Sequence, residues 1–453
     1  MKHTLIGYLG NSDQPAMPVV TREEKVTFVS LGNENGDIGL GIGQALKDMA
    51  NLGLTSKHIG IDLLILAALV QAADTRISRA TESQNNWTRE IKIVVPVHDV
   101  NCWSNTENHL KQMLSFLTGD RWEVTFRPLT RVVEIPAAIR SESEVTTSFD
   151  QACLFSGGLD SLIGAVNLLE QGSQPLFVSH VADGSTSNAQ WKCIDELKSF
   201  YSGKIIERLR LWMRMPGGLV NGVRSENTTR GRSFLFIAAG VFAGTCISRQ
   251  PKILVPENGF ISLNVPLDPL RIGALSTRTT HPYYLRLWNE LLCMIGIQGT
   301  IENPYWNKTK GEMLQECVNQ NLINTIGPLS SSCSSPTKGR YKGHHTGHCG
   351  YCLPCIIRRS AFKQAFDCDS TEYAKADLEA SILNSLTSEG QQVRSFQIAI
   401  KRIADKPDLA KILVLKPGPL DSDGAIFDEF AAVYRRGLEE VGRFLAQVVT
   451  APL

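Results

Sequence analysis

Between residues 150 and 256, short apolar runs alternate with longer stretches of helical period. The runs Ala152–Phe155, Pro175–Ser179, Lys204–Leu211 and Lys252–Pro256 read as strands. The stretches between them, Ser161–Glu170, Ala189–Tyr201 and Ser233–Ile247, read as helices. Strand and helix in regular alternation predict a parallel sheet covered on both faces, with ligands at the carboxyl ends of its strands.

The flanks differ. Residues 1–147 mix the strand-like runs Val26–Ser30, Ile91–Val97 and Trp122–Arg127 with helices over Ile61–Ala73 and Glu107–Leu117. This predicts an α+β accessory domain, with Trp87, Trp103 and Trp122 in its core. The glycine-rich run Gly36–Gly43 misses GxGxxG spacing, since Gln44 stands where the third glycine belongs, and it reads as a turn. Ser141–Ser148, rich in Ser, Glu and Thr, is the expected linker. Beyond about residue 375 the pattern is helical, broken at Lys416–Gly424. The last amphipathic element, Ile426–Val449, is expected to pack back on the core or on a partner chain. Domains are therefore expected at 1–147, 148–330, 331–370 and 371–453.

Composition narrows the class. The 453 residues exceed a usual single core, and a net charge of +1 gives no global reason for a nucleic-acid or membrane surface. The longest apolar stretch, Ile59–Ala73, carries Asp62 and falls short of a bilayer span. The N-terminus has no sustained apolar leader. Eleven unevenly spaced cysteines suit a reducing compartment with some on a metal. A soluble, cytoplasmic chain is expected.

Two motifs carry chemistry. The first is Ser156-Gly157-Gly158-Leu159-Asp160-Ser161, between a strand and a helix. Such a loop offers backbone N–H groups and a helix dipole to an anion. Gly157 and Gly158 permit close approach, Ser156 and Ser161 add hydroxyls, and Asp160 is suited to Mg2+ bridging phosphates. With no lysine in it, the loop fits a departing pyrophosphate better than a transferred terminal phosphoryl group. Phe155 through Ser161, with His180 after the next strand, are the ATP-binding candidates. The second motif is Cys349-x-x-Cys352-x-x-Cys355, with Cys333 upstream, a spacing that predicts an S4 zinc site. His344, His345 or His348 are alternatives to Cys333, and an iron–sulfur cluster is an alternative to zinc.

The hexad resembles the SGGxDS signature of the PP-loop ATP pyrophosphatases, which cleave ATP to AMP and pyrophosphate while adenylating an acid. Together with Cys333…Cys349-x-x-Cys352-x-x-Cys355 and Arg358, it resembles the 7-cyano-7-deazaguanine synthase (QueC) family over about residues 150–370. The resemblance implies a parallel sheet of about five strands, ATP, Mg2+ and Zn2+ as cofactors, and a deazaguanine acid as substrate. Thr229–Ser233 resembles a family segment that makes Arg232 a phosphate contact, and Pro304–Glu312 one that puts Lys310 near phosphate. Asp160, Lys310 and Arg232 are thus the expected catalytic residues.

The chain departs from that family by the insertion Lys338–His348 and by about 150 N-terminal and 80 C-terminal residues without counterpart. In this it resembles the extended QueC-like proteins of bacterial antiphage operons of Qat type, which implies protein partners from the same operon. Where the family recognises its deazaguanine, this chain has Glu257–Asn264 and Arg271–His281. Glu257, Asn258 and Asn264 offer paired donors and acceptors to a purine-like edge, and Arg271 and Arg278 could clamp a carboxylate or phosphate. His281, before Pro282, reads as a helix start or a base, and Lys338–His345 as a solvated flank or an RNA contact. Two other functions remain open: modification of tRNA or other nucleic acid, and a non-catalytic nucleotide-binding subunit.

Overall fold

The computed structural model describes residues 1–17, 24–33, 37–84, 86–139, 149–181, 184–213, 215–226, 230–267, 278–334, 336, 347–420 and 424–452. The expected linker 141–148, Arg271, and the basic flank 338–345 with His344 and His345 lie outside them.

Two parallel sheets organise the first 300 residues. The first has the order β2-β1-β3-β4, from β1 (Lys2–Tyr8), β2 (Glu24–Ser30), β3 (Glu90–Val97) and β4 (Arg121–Pro128). All its pairings are parallel. The α+β expectation for this region is therefore corrected to α/β. The central strand β1 was missing from the sequence pattern because His3 and Thr4 interrupt its apolar run, although both are buried. His3 is accommodated by Glu82, whose carboxylate lies 2.9 Å from Nε2.

Four strands of the second sheet match the alternation read from the sequence, and a fifth, short edge strand was missing from that pattern. Its strands are β5 (Gln151–Leu154), β6 (Pro175–His180), β7 (Glu207–Leu211), β8 (Lys252–Leu254) and β9 (Thr300–Glu302), in the order β7-β6-β5-β8-β9. Every pairing is again parallel. The chain moves from β5 to β6 and β7 on one side, then crosses to β8 on the other. The crevice beyond β5 and β8 is thus the topological switch point, where open α/β sheets bind ligands.

The helices are α1 (Ile42–Asn51), α2 (His58–Arg76), α3 (Glu107–Thr118), α4 (Leu159–Glu170), α5 (Gly184–Phe200), α6 (Arg232–Ile247) and α7 (Pro282–Met294). Helices α8 (Lys310–Gln315), α9 (Gln320–Ile326), α10 (Leu353–Phe366), α11 (Ser388–Asp405) and α12 (Gly424–Phe444) follow. Helix α2 is apolar on nearly every face, and among the described residues only it is long and apolar enough to cross a membrane. Here it is a core helix, with 89% of that window buried. It packs on β3 and on α6, which in turn covers β5, β6 and β8. Gly60 permits the close helix approach, since a Cβ there would meet Thr245 Oγ1 at 2.8 Å. Residues of both sheets consequently belong to one hydrophobic core, running from Leu5 through Leu66 and Phe242 to Leu154. The accessory region is fused to the second sheet rather than appended to it.

The C-terminal extension is mainly helical, as expected, with one short parallel strand pair, Leu383–Asn384 with Thr450–Ala451. Its core joins α11 and α12 to Cys349, Cys352 and Phe260. The last helix packs back on the body of the protein: a Cβ on Gly437 would lie 2.4 Å from the Phe260 ring. Trp103 and Trp122 are buried as expected, but Trp87 is 39% exposed, with the Arg230 guanidinium 4.9 Å from its ring.

Candidate functional site

The strand β5 is followed directly by Phe155, whose ring packs edge-on against Phe177 inside the core. The chain then turns at Gly157, with φ +79°, and enters α4 at Leu159. Only glycine adopts that φ without strain, and a Cβ there would also stand 2.8 Å from Gln190 Cγ. Ser156 Oγ accepts from Gly158 N at 3.2 Å, and Ser161 Oγ donates to the Gly158 carbonyl at 2.9 Å. Phe155 and Leu159 are fully buried, so only their backbone can reach a ligand.

A cavity of about 270 Å³ opens beside this loop, at the switch point. Ser156, Ser161, His180, Arg232 and Glu257 line it, as do Arg230, Gln190 and Ser233, which sequence reasoning did not single out. Arg230 sits in the quoted Thr229–Ser233 segment, so the signal was present. Gln190 and Ser233 gave none, being ordinary helix positions. Among the described residues, both ring nitrogens of His180, Gln190 Oε1 and Ser233 Oγ are buried without hydrogen-bond partners, so the wall has donors and acceptors to spend on a ligand. Burial, reinforced by Arg232, lowers the His180 imidazole to about 4, so it is neutral near pH 7.

The arginines are positioned by the accessory region, chiefly by Asp74 of α2 and Thr118 at the end of α3. Gly231 N donates to Asp74 Oδ2 at 2.7 Å, and Arg230 Nη1 to the Thr118 carbonyl at 2.9 Å. Asp74 is held by Arg89 Nη2 at 2.9 Å, and the same nitrogen reaches Asp120 at 2.6 Å. Glu226 accepts from Arg79 N at 2.6 Å. A buried ion network in the accessory region thus fixes the turn from which Arg230 and Arg232 enter the cavity.

Asp160 is placed differently from expectation. It is buried behind the loop, does not line the cavity, and accepts from Lys310 Nζ and from Asn258 Nδ2, the latter at 2.7 Å. Burial alone would raise its carboxyl. The Lys310 ammonium, with hydrogen bonds from Glu257, Lys310 and Asn258, holds it instead below the usual carboxylate range. Glu257 goes the other way: burial first, then the Asp160 charge and the hydrogen bond to it, push its carboxyl well above the ordinary value. The two carboxyls are thus pushed apart, Asp160 toward its ionised form and Glu257 toward its protonated one. With both Asp160 oxygens engaged, Mg2+ does not fit there in this arrangement. Lys310, expected near phosphate, is 4% exposed and neutralises Asp160 instead.

The expected substrate residues divide. Glu257 lines the cavity. Asn258 is fully buried and spent on structure, its Nδ2 on Asp160 and its Oδ1 capping the turn Gly259–Ser262. Asn264 ends that turn at φ +53° and does not line the cavity. Arg278 is withdrawn from the ligand role as well: Nη1 donates to the Phe116 carbonyl at 2.6 Å and the guanidinium lies 4.6 Å from the Phe116 ring. Its neighbours Thr279 and Thr280 line the cavity instead. His281 is the N-cap of α7, accepting from Tyr283 N at 3.2 Å, as its helix-start reading required.

The four cysteines converge. Their sulfur atoms all lie within 4.8 Å of one another, with Cys333–Cys352 and Cys349–Cys355 each at 3.9 Å. Zn–S bonds of about 2.3 Å in a tetrahedron put sulfurs about 3.8 Å apart, so the set fits an S4 metal such as zinc. Cys349 N points at Cys333 Sγ (3.4 Å) and Cys352 N at Cys349 Sγ (3.3 Å), which stabilises negative sulfur. His348 is beside the cluster but hydrogen-bonded to the Ser330 carbonyl at 3.0 Å, and the four-ligand set that could hold a metal includes Cys333 instead. Arg358 is fully buried and donates to Ser330 Oγ and the Gly327 carbonyl.

A scan against protein-family models finds no match for this chain, and a search of curated proteins finds none either.

Proposed function

We propose that this chain is a PP-loop enzyme of the 7-cyano-7-deazaguanine synthase type. In this reading it adenylates a carboxylate, 7-carboxy-7-deazaguanine or a related acid, and passes the acyl group to an amine. The product is an amide, a nitrile where a second ATP activates the amide oxygen for loss as water, or a deazaguanine-modified partner protein, made in bacterial antiphage defence. The observation that carries the reading is a lysine-free glycine loop at the switch point of a five-stranded parallel sheet, facing Arg230 and Arg232 across one cavity.

The substrate carboxylate attacks the α-phosphorus, forming the acyl–oxygen–phosphorus linkage as pyrophosphate departs. The amine then forms a bond to the acyl carbon and AMP leaves, with the amine proton released. The loop N–H groups and the two guanidinium groups supply positive potential where the pyrophosphate charge develops. The neutral His180 imidazole offers one donor and one acceptor to a heteroaromatic edge, with Glu257 beside it in the cavity wall. Holding acid and nucleotide together accounts for up to about 7–11 kcal/mol of barrier in ideal cases.

The test is substrate dependence: α-labelled ATP should yield labelled AMP when a deazaguanine acid and ammonia as the amine are both supplied, and none when the acid is left out. A second reading, a nucleotide-binding subunit without turnover, draws support from Lys310 lying on Asp160. It predicts tight ATP binding and no AMP with any acid.

A further inference from the structure

The glycine loop and the cysteine cluster are joined by a short backbone relay. Ser331 N donates to the carbonyl of Gly157 at 2.8 Å, the residue whose positive φ turns the loop. The Ser331 carbonyl lies 3.5 Å from where a Cβ on Gly158 would stand, so the same segment lies against both glycines. Ser330 is fixed from three directions. Its Oγ accepts from Arg358 Nη1 at 2.8 Å and donates to the Gly327 carbonyl at 2.7 Å. Its carbonyl accepts from His348 Nε2 at 3.0 Å.

Each anchor leads to a metal ligand. Cys333 lies two residues beyond Ser331, His348 directly precedes Cys349, and Arg358 projects from α10, whose first turn carries Cys355. Without a metal, four thiols hold these segments together only weakly. A glycine at positive φ has many alternative conformations, so the loop depends on contacts from outside itself.

We infer that the metal cluster is a positioning element for the glycine loop, acting through the Ser331 N–H on the Gly157 carbonyl, so that metal occupancy and anion binding at the loop are linked. Linkage is reciprocal: the nucleotide tightens the metal by the factor by which the metal tightens the nucleotide. Only this second half rests on the proposed function. The ordering of the loop by the metal does not.

The test is amide hydrogen exchange of the full chain, read over peptides spanning Leu154–Ser161, with zinc bound and after chelation. Stripping zinc should accelerate exchange in the loop by about tenfold, the scale of one lost hydrogen bond. Ser331→Pro removes the N–H donor, and Ser330 already has the extended backbone (φ −71°, ψ 151°) that precedes proline. Zinc-loaded Ser331→Pro should keep its metal and exchange in the loop as fast as stripped wild type. Ser331→Ala, which retains the N–H, should match loaded wild type.

Unchanged loop exchange in loaded Ser331→Pro overturns the inference. So does stripping that loosens 347–358 and leaves Leu154–Ser161 untouched. If stripping unfolds the whole chain, the loaded Ser331→Pro comparison decides alone. For linkage, ATP should bind about tenfold more weakly to Ser331→Pro than to Ser331→Ala. Equal affinities overturn the linkage, whereas the expected exchange pattern with no ATP binding to either protein removes the phosphate reading and leaves the brace standing.

Discussion

Lys310 and Asp160 are separated by 150 residues in the chain, and the Lys310 ammonium donates to the Asp160 carboxylate where both side chains are almost wholly shielded from water. The pair ties the N-terminus of α8 to the first turn of α4, directly behind the glycine loop. Asn258 and Glu257 close the remaining positions around the carboxylate.

A buried ion pair loses more when one member is removed than when both are. Lys310→Met should therefore destabilise by about 3–5 kcal/mol, because Asp160 is left charged and unpaired. The double variant Lys310→Met/Asp160→Asn should recover most of that loss. Urea unfolding of the two single variants and the double variant measures it, and additive losses would mean the pair is not coupled.

The C-terminal extension reaches the same assembly through Glu440. Its carboxylate accepts from Gly311 N, with both oxygens at 3.2 Å. Burial, with Glu312 adding, raises the carboxyl to about 7 from an ordinary 4.5. The folded chain thus holds a proton that the unfolded chain has lost over that interval, so stability is greatest below it and falls as pH rises through it. The linkage is on the order of 3 kcal/mol. Urea midpoints should be lower at pH 8 than at pH 5 in the wild type, and Glu440→Gln should flatten that difference.

Cavity arginines and withdrawn arginines should part company. Arg232→Ala should weaken ATP binding by about 10- to 100-fold, the range for a hydrogen bond to a charged group. Arg278→Ala should leave ATP affinity within about twofold and lower the melting temperature, since Arg278 is clamped on Phe116. Calorimetric titration beside thermal melts separates the two effects.

Cys355→Ser should bring bound zinc from one per chain to near zero, because an S4 site loses affinity with each thiolate. Elemental analysis of the purified variant checks this.

The second sheet was legible, apart from the three-residue β9, because its inner strands β5 and β6 are mostly apolar and its helices have clear period, and the cysteines because CxxCxxC has few other uses. The first sheet's parallel topology was not, since β1 hides two buried polar residues that only Glu82 and β2 make tolerable. Asn258 and Arg278 were misplaced for a related reason. Side chains able to bind a ligand are equally able to cap a turn or grip a carbonyl, and their tertiary neighbours decide between these uses. The delivery of Arg230 by Asp74 and Thr118 joins segments more than 100 residues apart and has no local signature.

The phosphorus products of ATP turnover test the central claim most directly. Phosphorus NMR of a reaction holding the zinc-loaded protein, ATP, 7-carboxy-7-deazaguanine and ammonia should show AMP and pyrophosphate rising together. ADP and orthophosphate in their place would contradict it.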